Sequence, residues 1–502
     1  MHRRQFILGT AALAAALVAA GCSAPSAENT GKAGTLRYAA VGSPATASHD
    51  PHGGLGNESD AMRFALLYDV LTVPGEQGTE PRLATSWTPD ESLTNWRIEL
   101  RDDATFTDGE PVTAADVLFS LRRMHEKAAE NYGRMGMFDL AASEAKGEHT
   151  LRLITRTPFA EVGQALESAT FIVPEGSEDF SEPVTGSGPF RMDSGDAEAA
   201  VLARNDDWWG PRPPLERIEI RAIADPQARA DAVASGQADV AGSVNPAAAR
   251  TAEQEGLRVV HRQGVTVYPL VMRLDSEPFD DERVREAVKL AVDREQLLDT
   301  VFLGQGTLAG DLLTPADPTA PEPPERTRDL DRARELLTEA GYGDGLDLTL
   351  KTTTAYPGMD DAATLIAGQL EPAGVNITVD VVPQDTYWTE VYAQEAFYVS
   401  YLGGISFLDV ARVALLPDSP TNETAWGGGG WAERFDEAMA EKDEPKRAEL
   451  LGALQRELAE DGGYVVWAAG DGLDLARPGV SGLPTGPGFQ RLFIDQVRVD
   501  SR

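Results

Sequence analysis

An alternation constrains this chain most. Short apolar runs rich in β-forming residues, at 35–40, 96–100, 151–155, 217–222, 257–260, 265–274, 346–352 and 377–382, are separated in several places by stretches with helical periodicity. Over 283–302, Val284, Val288, Ala291, Val292 and Leu298 fall on one helical face, and a further helix is predicted over 330–340, closed by Gly341. Strands and helices in this order predict an α/β fold with mixed sheets. At 502 residues the chain exceeds what one hydrophobic core normally serves, so about two or three packed lobes are expected. With 42% hydrophobic and 25% charged residues it has ample apolar surface to fill them. The proline-rich stretch 315–324 predicts a surface loop.

Charge then removes one class of partner. The 81 acidic and 44 basic side chains leave a formal charge of −37. Such a balance repels phosphate backbones, so no nucleic-acid partner is expected. The N-terminus predicts export. Arg3 and Arg4 precede Phe6, Ile7 and Leu8, and the Ala-rich stretch 9–20 that follows is too short to span a bilayer comfortably. Residues 1–21 therefore read as a signal peptide. Arg3-Arg4-Gln5-Phe6-Ile7 resembles a twin-arginine signal, with general secretion as the alternative because His2 stands where Ser or Thr is usual.

The only cysteine, Cys22, directly follows Ala19-Ala20-Gly21 and resembles a bacterial lipobox, with Ala19 in place of the usual leucine. On that reading Cys22 is lipidated, 22–33 is a tether, and the chain is held at the outer face of the cell membrane, in the periplasmic space or cell envelope. A lone cysteine excludes a disulfide scaffold.

Signatures of catalysis are absent. The chain has no G-x-S-x-G elbow, no phosphate-binding G-x-x-x-x-G-K-[ST], no H-E-x-x-H and no G-x-G-x-x-G after a strand. No enzymatic activity and no cofactor are expected. In His49-Asp50-Pro51-His52 the two histidines have a spacing able to hold a metal, but further ligands are lacking nearby, and Asp50-Pro51 more simply starts a turn.

The chain does contain an ordered series of motifs. It runs from Leu67-Tyr68-Asp69-Val70-Leu71 and Pro81-Arg82-Leu83-Ala84-Thr85-Ser86-Trp87, through Phe106-Thr107-Asp108-Gly109 and Gly186-Ser187-Gly188-Pro189-Phe190, to Asn205-Asp206-Asp207-Trp208-Trp209-Gly210. Ser235-Gly236-Gln237-Ala238-Asp239, Phe279-Asp280-Asp281-Glu282-Arg283-Val284-Arg285 and Ala291-Val292-Asp293-Arg294 follow. This series resembles the extracytoplasmic solute-binding proteins of peptide and nickel ABC importers, family 5, over essentially all of the chain beyond the leader. Each motif also has a structural reading: Trp87, Trp96, Phe106 and Trp208 as core aromatics, Asp108-Gly109 as a tight turn, Asp116 and Arg285 as caps or ion-pair partners.

The resemblance implies a periplasmic-binding-protein-like fold of type II: two α/β lobes with hinge strands, plus an inserted α+β domain. Lobe I would comprise 34–52, 186–264 and 469–502, the inserted domain 53–185, and lobe II 265–468, with hinge crossings within 265–274 and 465–469. It also implies a monomer that captures a peptide or similarly sized solute between closing lobes and docks on a membrane permease. A ligand that touches both lobes only in the closed state shifts the hinge equilibrium toward closure. In peptide-binding members an aspartate of lobe II pairs with the peptide's α-amino group. The corresponding stretch here is 401–410, where Asp409 aligns either with that aspartate or with the acid after it; on the second alignment Ser406 takes the place of the charged group. Gly404, Gly56, Asn57, Tyr268, Trp388 and Trp426 are the other candidate ligand contacts. The alternatives are a non-peptide importer component, for a metal chelate or a sugar, and a ligand-sensing or chaperone-like binding protein.

Overall fold

The computed structural model describes residues 34–500, apart from 44–45, 54–56, 76–77, 128–134, 168–169, 184, 418, 420, 428 and 487. The leader, Cys22 and Gly56 lie outside the described residues.

Three sheets organise what is described. In the largest, Thr35–Ala40 is central, parallel to Arg217–Ala222 on one side and to Val240–Ala241 on the other. Ala199–Arg204 and Phe190–Gly195 extend it antiparallel beyond the first neighbour, and Ala468–Ala476 and Arg258–Val267 beyond the second. Burial on both faces explains the nearly continuous apolar run in Thr35–Ala40. Leu36, Tyr38 and Ala40 enter one core with helix Glu58–Leu67, while Ala39 enters another with helices Pro226–Ala234 and Pro246–Gln254. Those last two helices start alike: the Asp225 and Asn245 side chains accept from the backbone N–H groups of Ala228 and Ala248, and a proline occupies the first turn.

The second sheet carries Leu346–Thr352 parallel to Val375–Val381 and Phe397–Val399, then Leu270–Met272 antiparallel between Phe397–Val399 and Tyr464–Val465. The third is an antiparallel meander of Ala84–Pro89, Asn95–Leu100, Thr150–Ile154 and Glu144–Ala145. Helix Ala114–Glu126 packs on it, opened by a capping box in which Thr113 and Asp116 satisfy each other's backbone N–H groups. Ile98 and Leu153 of the meander share one continuous apolar cluster with Leu350 and Val399 of the second sheet. The Ala160 N–H donates to the Met439 carbonyl across that boundary at 2.7 Å, and Arg447 pairs with Glu161 there.

The chain crosses from the first sheet to the second at Tyr268-Pro269, between Arg258–Val267 and Leu270–Met272, and returns at Val466-Trp467. Both crossings are buried. The Tyr268 and Trp467 rings lie 6.5 Å apart, and Phe302 stacks on Trp467 at 4.7 Å.

Two local expectations are corrected. The predicted helix over 283–302 is two helices, Glu282–Ala291 and Arg294–Val301. Val292 is extended, the Asp293 side chain caps the second helix, and Arg294 turns inward so that its Nη2 contacts both carboxylate oxygens of buried Asp311, at 2.8 and 2.9 Å. Apolar periodicity continues across the break, which is why it reads as one helix. The runs at 257–260 and 265–274 are not separate strands up to Val267: Arg258–Val267 is continuous, with an irregularity between Arg262 and Thr266 where Gly264 takes a φ of 62°. Among the described residues, no helix is long and apolar enough to cross a membrane.

Candidate functional site

A cavity of 650 Å³ opens between the first and second sheets beside the two crossings. Its walls differ in chemistry. The first-sheet side contributes Glu58 from the first turn of Glu58–Leu67, Arg229 from Pro226–Ala234, Ser243, Asp471 from Ala468–Ala476, and Arg491. The opposite side is aromatic, with Tyr356, Trp388, Tyr392 and Tyr401, and Tyr268 and Phe302 close the cavity at the crossing.

The aromatic wall is held by ring-on-ring packing. Tyr356 stacks on Tyr401 at 3.6 Å, and Trp388 meets Tyr356, Tyr387 and Tyr392 edge to face at 5.3 to 6.2 Å. The Tyr268 hydroxyl donates to the Pro357 carbonyl at 2.8 Å, and burial pushes it well above its ordinary titration range, so it stays protonated. Behind this wall lies Glu423, buried, with one carboxylate oxygen accepting from the Ser400 hydroxyl at 2.8 Å; burial raises its carboxyl to about 7 despite that bond and the neighbouring Tyr392 and Tyr464 hydroxyls.

The charged wall is held by ion pairs and carbonyl contacts. Arg229 donates to the carbonyls of Ile223, Ala224, Gly242 and Ser243, all within 2.8 Å. Just behind it, buried Arg262 grips Asp474 with two bonds of 3.0 Å, and Asp474 also accepts from the Ser243 N–H at 2.8 Å. Asp471 accepts from the Gly264 N–H and faces His261 at 3.3 Å. Arg491 lies 3.3 Å from Glu58.

The candidates from sequence fall on both sides of this boundary. Tyr268 and Trp388 line the cavity. From the stretch 401–410 the lining takes Tyr401, Leu402, Gly403 and Ile405, without Gly404, Ser406 or Asp409. Ser406 is the N-cap of helix Phe407–Val410: its hydroxyl accepts from the Asp409 N–H and donates to the Asp409 carboxylate at 2.9 Å, while Arg412 faces that carboxylate at 3.7 Å. Gly404 adopts a φ of 69°, and a Cβ there would stand 2.9 Å from the Val265 Cα, so a glycine lets this turn approach the crossing strand. Asn57 is buried and ties down the segment before it, accepting from the Ser43 N–H at 2.9 Å and donating to the Ser43 carbonyl. Trp426 is buried in the second core, away from the lining.

The two histidines diverge. His49 meets Arg63 and His52 meets the Phe171 carbonyl, each at 2.7 Å, while Asp50 takes a two-pronged bond from Arg123. Burial opposes the Asp50 charge, yet Arg123 and the His52 N–H hold its carboxyl down to about 2. Burial also lowers His52 to about 4, leaving it neutral. Several sequence motifs meet at one buried carboxylate, that of Asp69. Arg82 pairs with it, and both the Trp208 and Trp209 indoles donate to it, at 3.2 and 2.6 Å. Asp239 is likewise shared between Arg37 and Arg477. These motifs build the scaffold and do not reach the cavity.

The lining residues that sequence reasoning missed include Glu58, Arg229, Tyr356, Tyr392, Tyr401, Asp471 and Arg491. Tyr401 lies within the stretch considered for ligand contact, but nothing in its neighbours separates a cavity tyrosine from a core one. Arg491 sits in the short 3-10 helix Gly488–Leu492 near the C-terminus, over four hundred residues from Glu58, and has no local signal at all.

Comparison with known proteins decides the family. The sequence matches "Bacterial extracellular solute-binding proteins, family 5 Middle" over residues 78–422, more than half of the chain. The chain belongs to this family. It is a solute-binding protein of the ABC-importer type, and its homologues are binding proteins. Protein XP55 of Streptomyces lividans is 25% identical over 95% of this chain and 91% of its own length. The glutathione-binding protein GsiB of Escherichia coli (strain K12) is 26% identical over 68% of each chain. Among solved structures, the binding protein AgaA from A. tumefaciens R10, in complex with agropinic acid, superposes with a TM-score of 0.82 at 22% identity, covering 93% of this chain and 99% of its own.

Proposed function

We propose that this protein captures a peptide, or a solute of similar size, in the 650 Å³ cavity between its first and second sheets and delivers it to a membrane permease. The observation that carries this reading is a cavity whose charged and aromatic walls belong to different sheets, joined by two narrow crossings. A ligand filling it touches both walls only when they are close together, so binding favours closure, and closure is what a permease can read. Such a volume suits a ligand of a few residues, with rings for apolar surface and a few placed polar groups for orientation. The relative named for glutathione binding, itself a short peptide, supports that size. Within this cleft we assign ligand contact to Tyr268 and Trp388, together with Tyr356 and Tyr401, and a scaffold role to Ser406, Asp409, Gly404, Asn57 and Trp426. We assign lobe I to the first sheet, the inserted domain to the meander and lobe II to the second sheet, with helix Glu58–Leu67 packed on the first sheet.

Export through the N-terminal leader and lipid attachment at Cys22 complete the proposal, keeping the loaded protein near its permease. Two experiments test it. Purified protein should gain thermal stability with a dipeptide and tripeptide pool that includes glutathione, or release a bound solute on denaturation in mass spectrometry; neither happening would sink solute capture. A Cys22→Ser variant should move from the membrane fraction to the soluble one, and its retention at the membrane would remove the anchor from the reading.

A further inference from the structure

Behind the aromatic wall a buried acid stands among hydroxyls. Glu423 is 1% exposed, and its Oε1 accepts from the Ser400 hydroxyl at 2.8 Å. Its Oε2 has no hydrogen-bond partner among the described atoms, and neither have the buried hydroxyls of Thr424 and Tyr464. The groups that face it come from several elements: Tyr387 from helix Gln384–Glu390, Tyr392 two residues beyond that helix, Tyr398 from strand Phe397–Val399, and Tyr464 from strand Tyr464–Val465. Burial keeps the Tyr387, Tyr398 and Tyr464 hydroxyls protonated. Arg273, a cation that acts on Tyr398, is taken by Asp275 and the Ala393 carbonyl. Glu423 is therefore the member of this cluster that gains or loses charge near neutral pH.

One neighbour connects this acid to the cavity. The Tyr392 hydroxyl adjoins Glu423, while the Tyr392 ring lines the cavity and meets Trp388 edge to face at 5.6 Å. Trp388 in turn meets Tyr356 at 6.2 Å, and Tyr356 stacks on Tyr401. Resting on the capture reading above, we propose that Glu423 couples solute capture to pH: as a neutral acid it leaves the aromatic wall in the form that packs on a solute, and as a carboxylate it draws Tyr392 out of that wall. A carboxylate buried without a cation demands donors for both oxygens. Among the hydroxyls beside it, that of Tyr392 also belongs to the cavity, and its turning toward Glu423 shifts the ring against which Trp388 packs. A solute seated on the wall opposes this shift and so favours the protonated acid; by reciprocity the proton favours the solute. Affinity is then full below the range in which Glu423 titrates and falls as the pH rises through it.

The test titrates glutathione, or the peptide of the pool above that gives the largest thermal shift, into the full-length protein by calorimetry between pH 5 and 8. Affinity should fall about 5- to 20-fold over that interval, and binding near pH 7 should take up protons, read from buffers of different ionisation heat. Glu423→Gln, a fixed mimic of the neutral acid, should keep the low-pH affinity throughout and take up none. His261 faces Asp471 of the lining and is the competing source of a pH slope. A slope that survives in Glu423→Gln would overturn the inference, as would constant affinity in the parent, and both would leave solute capture standing. Absence of binding at every pH would overturn both readings. Should Glu423→Gln fail to fold, Tyr392→Phe removes the connecting hydroxyl and keeps the ring. Affinity in that variant should no longer follow pH, and an undiminished slope would overturn the coupling.

Discussion

The two walls of the cavity are built from opposite materials. On the first-sheet side buried charges are neutralised in pairs and anchored to backbone carbonyls, as with Arg262 on Asp474 and Arg229 on four carbonyls. On the second-sheet side rings pack on rings, and an acid behind them, Glu423, is buried against the Ser400 hydroxyl. The difference has a physical consequence. Paired charges are rigid and costly to unpair, whereas stacked rings offer broad contact with little directional demand. On the proposed reading, such a cleft would orient a ligand's polar end and tolerate variety at the other.

The comparison can be broken most severely at Asp474. An Asp474→Ala change leaves Arg262 charged and buried and takes an acceptor from the Ser243 N–H, so a loss of about 3–5 kcal/mol is expected in urea unfolding. A loss below about 1 kcal/mol would mean that the charged wall does not depend on pairing.

Glu423 sharpens the contrast with the opposite sign. Its carboxyl is raised to about 7 from an ordinary 4.5, so the folded protein holds this proton more tightly than the unfolded chain does. Stability should therefore fall as the pH rises through the interval between those values. Glu423→Gln should flatten that fall and stabilise the protein at pH 8 by roughly 2–3 kcal/mol relative to the parent. Melting curves between pH 5 and 8 that stay parallel for the two proteins would refute it.

The smallest effect is expected at Ser406. Ser406→Ala removes the cap of Phe407–Val410 and should cost about 1 kcal/mol of stability while leaving ligand affinity unchanged. A tenfold loss of affinity with normal melting would instead restore this stretch to the ligand site.

Legibility from sequence followed the range of the interactions. The strand at 35–40 and the capped helix closing at Gly341 were readable because their apolar period and end signals are local. The predicted helix over 283–302 failed where Asp293 caps a second helix and Arg294 answers to a partner beyond the segment, Asp311. Asp409 and Ser406 illustrate the same limit at the site. Their spacing suits a capping box as well as it suits ligand recognition, and only the fold shows the two side chains bonded to each other.

Sequence alone determined the alternation of strands and helices, the family, and the scaffold motifs around Asp69 and Asp239, because periodicity and motif order are carried along the chain. The tertiary structure decided which side chains share the cavity. Glu58 meets Arg491, and Tyr356 meets Tyr401, across separations in sequence that no local pattern encodes. Such contacts arise from how the sheets and the helices on them pack, so they become visible only once the chain is folded.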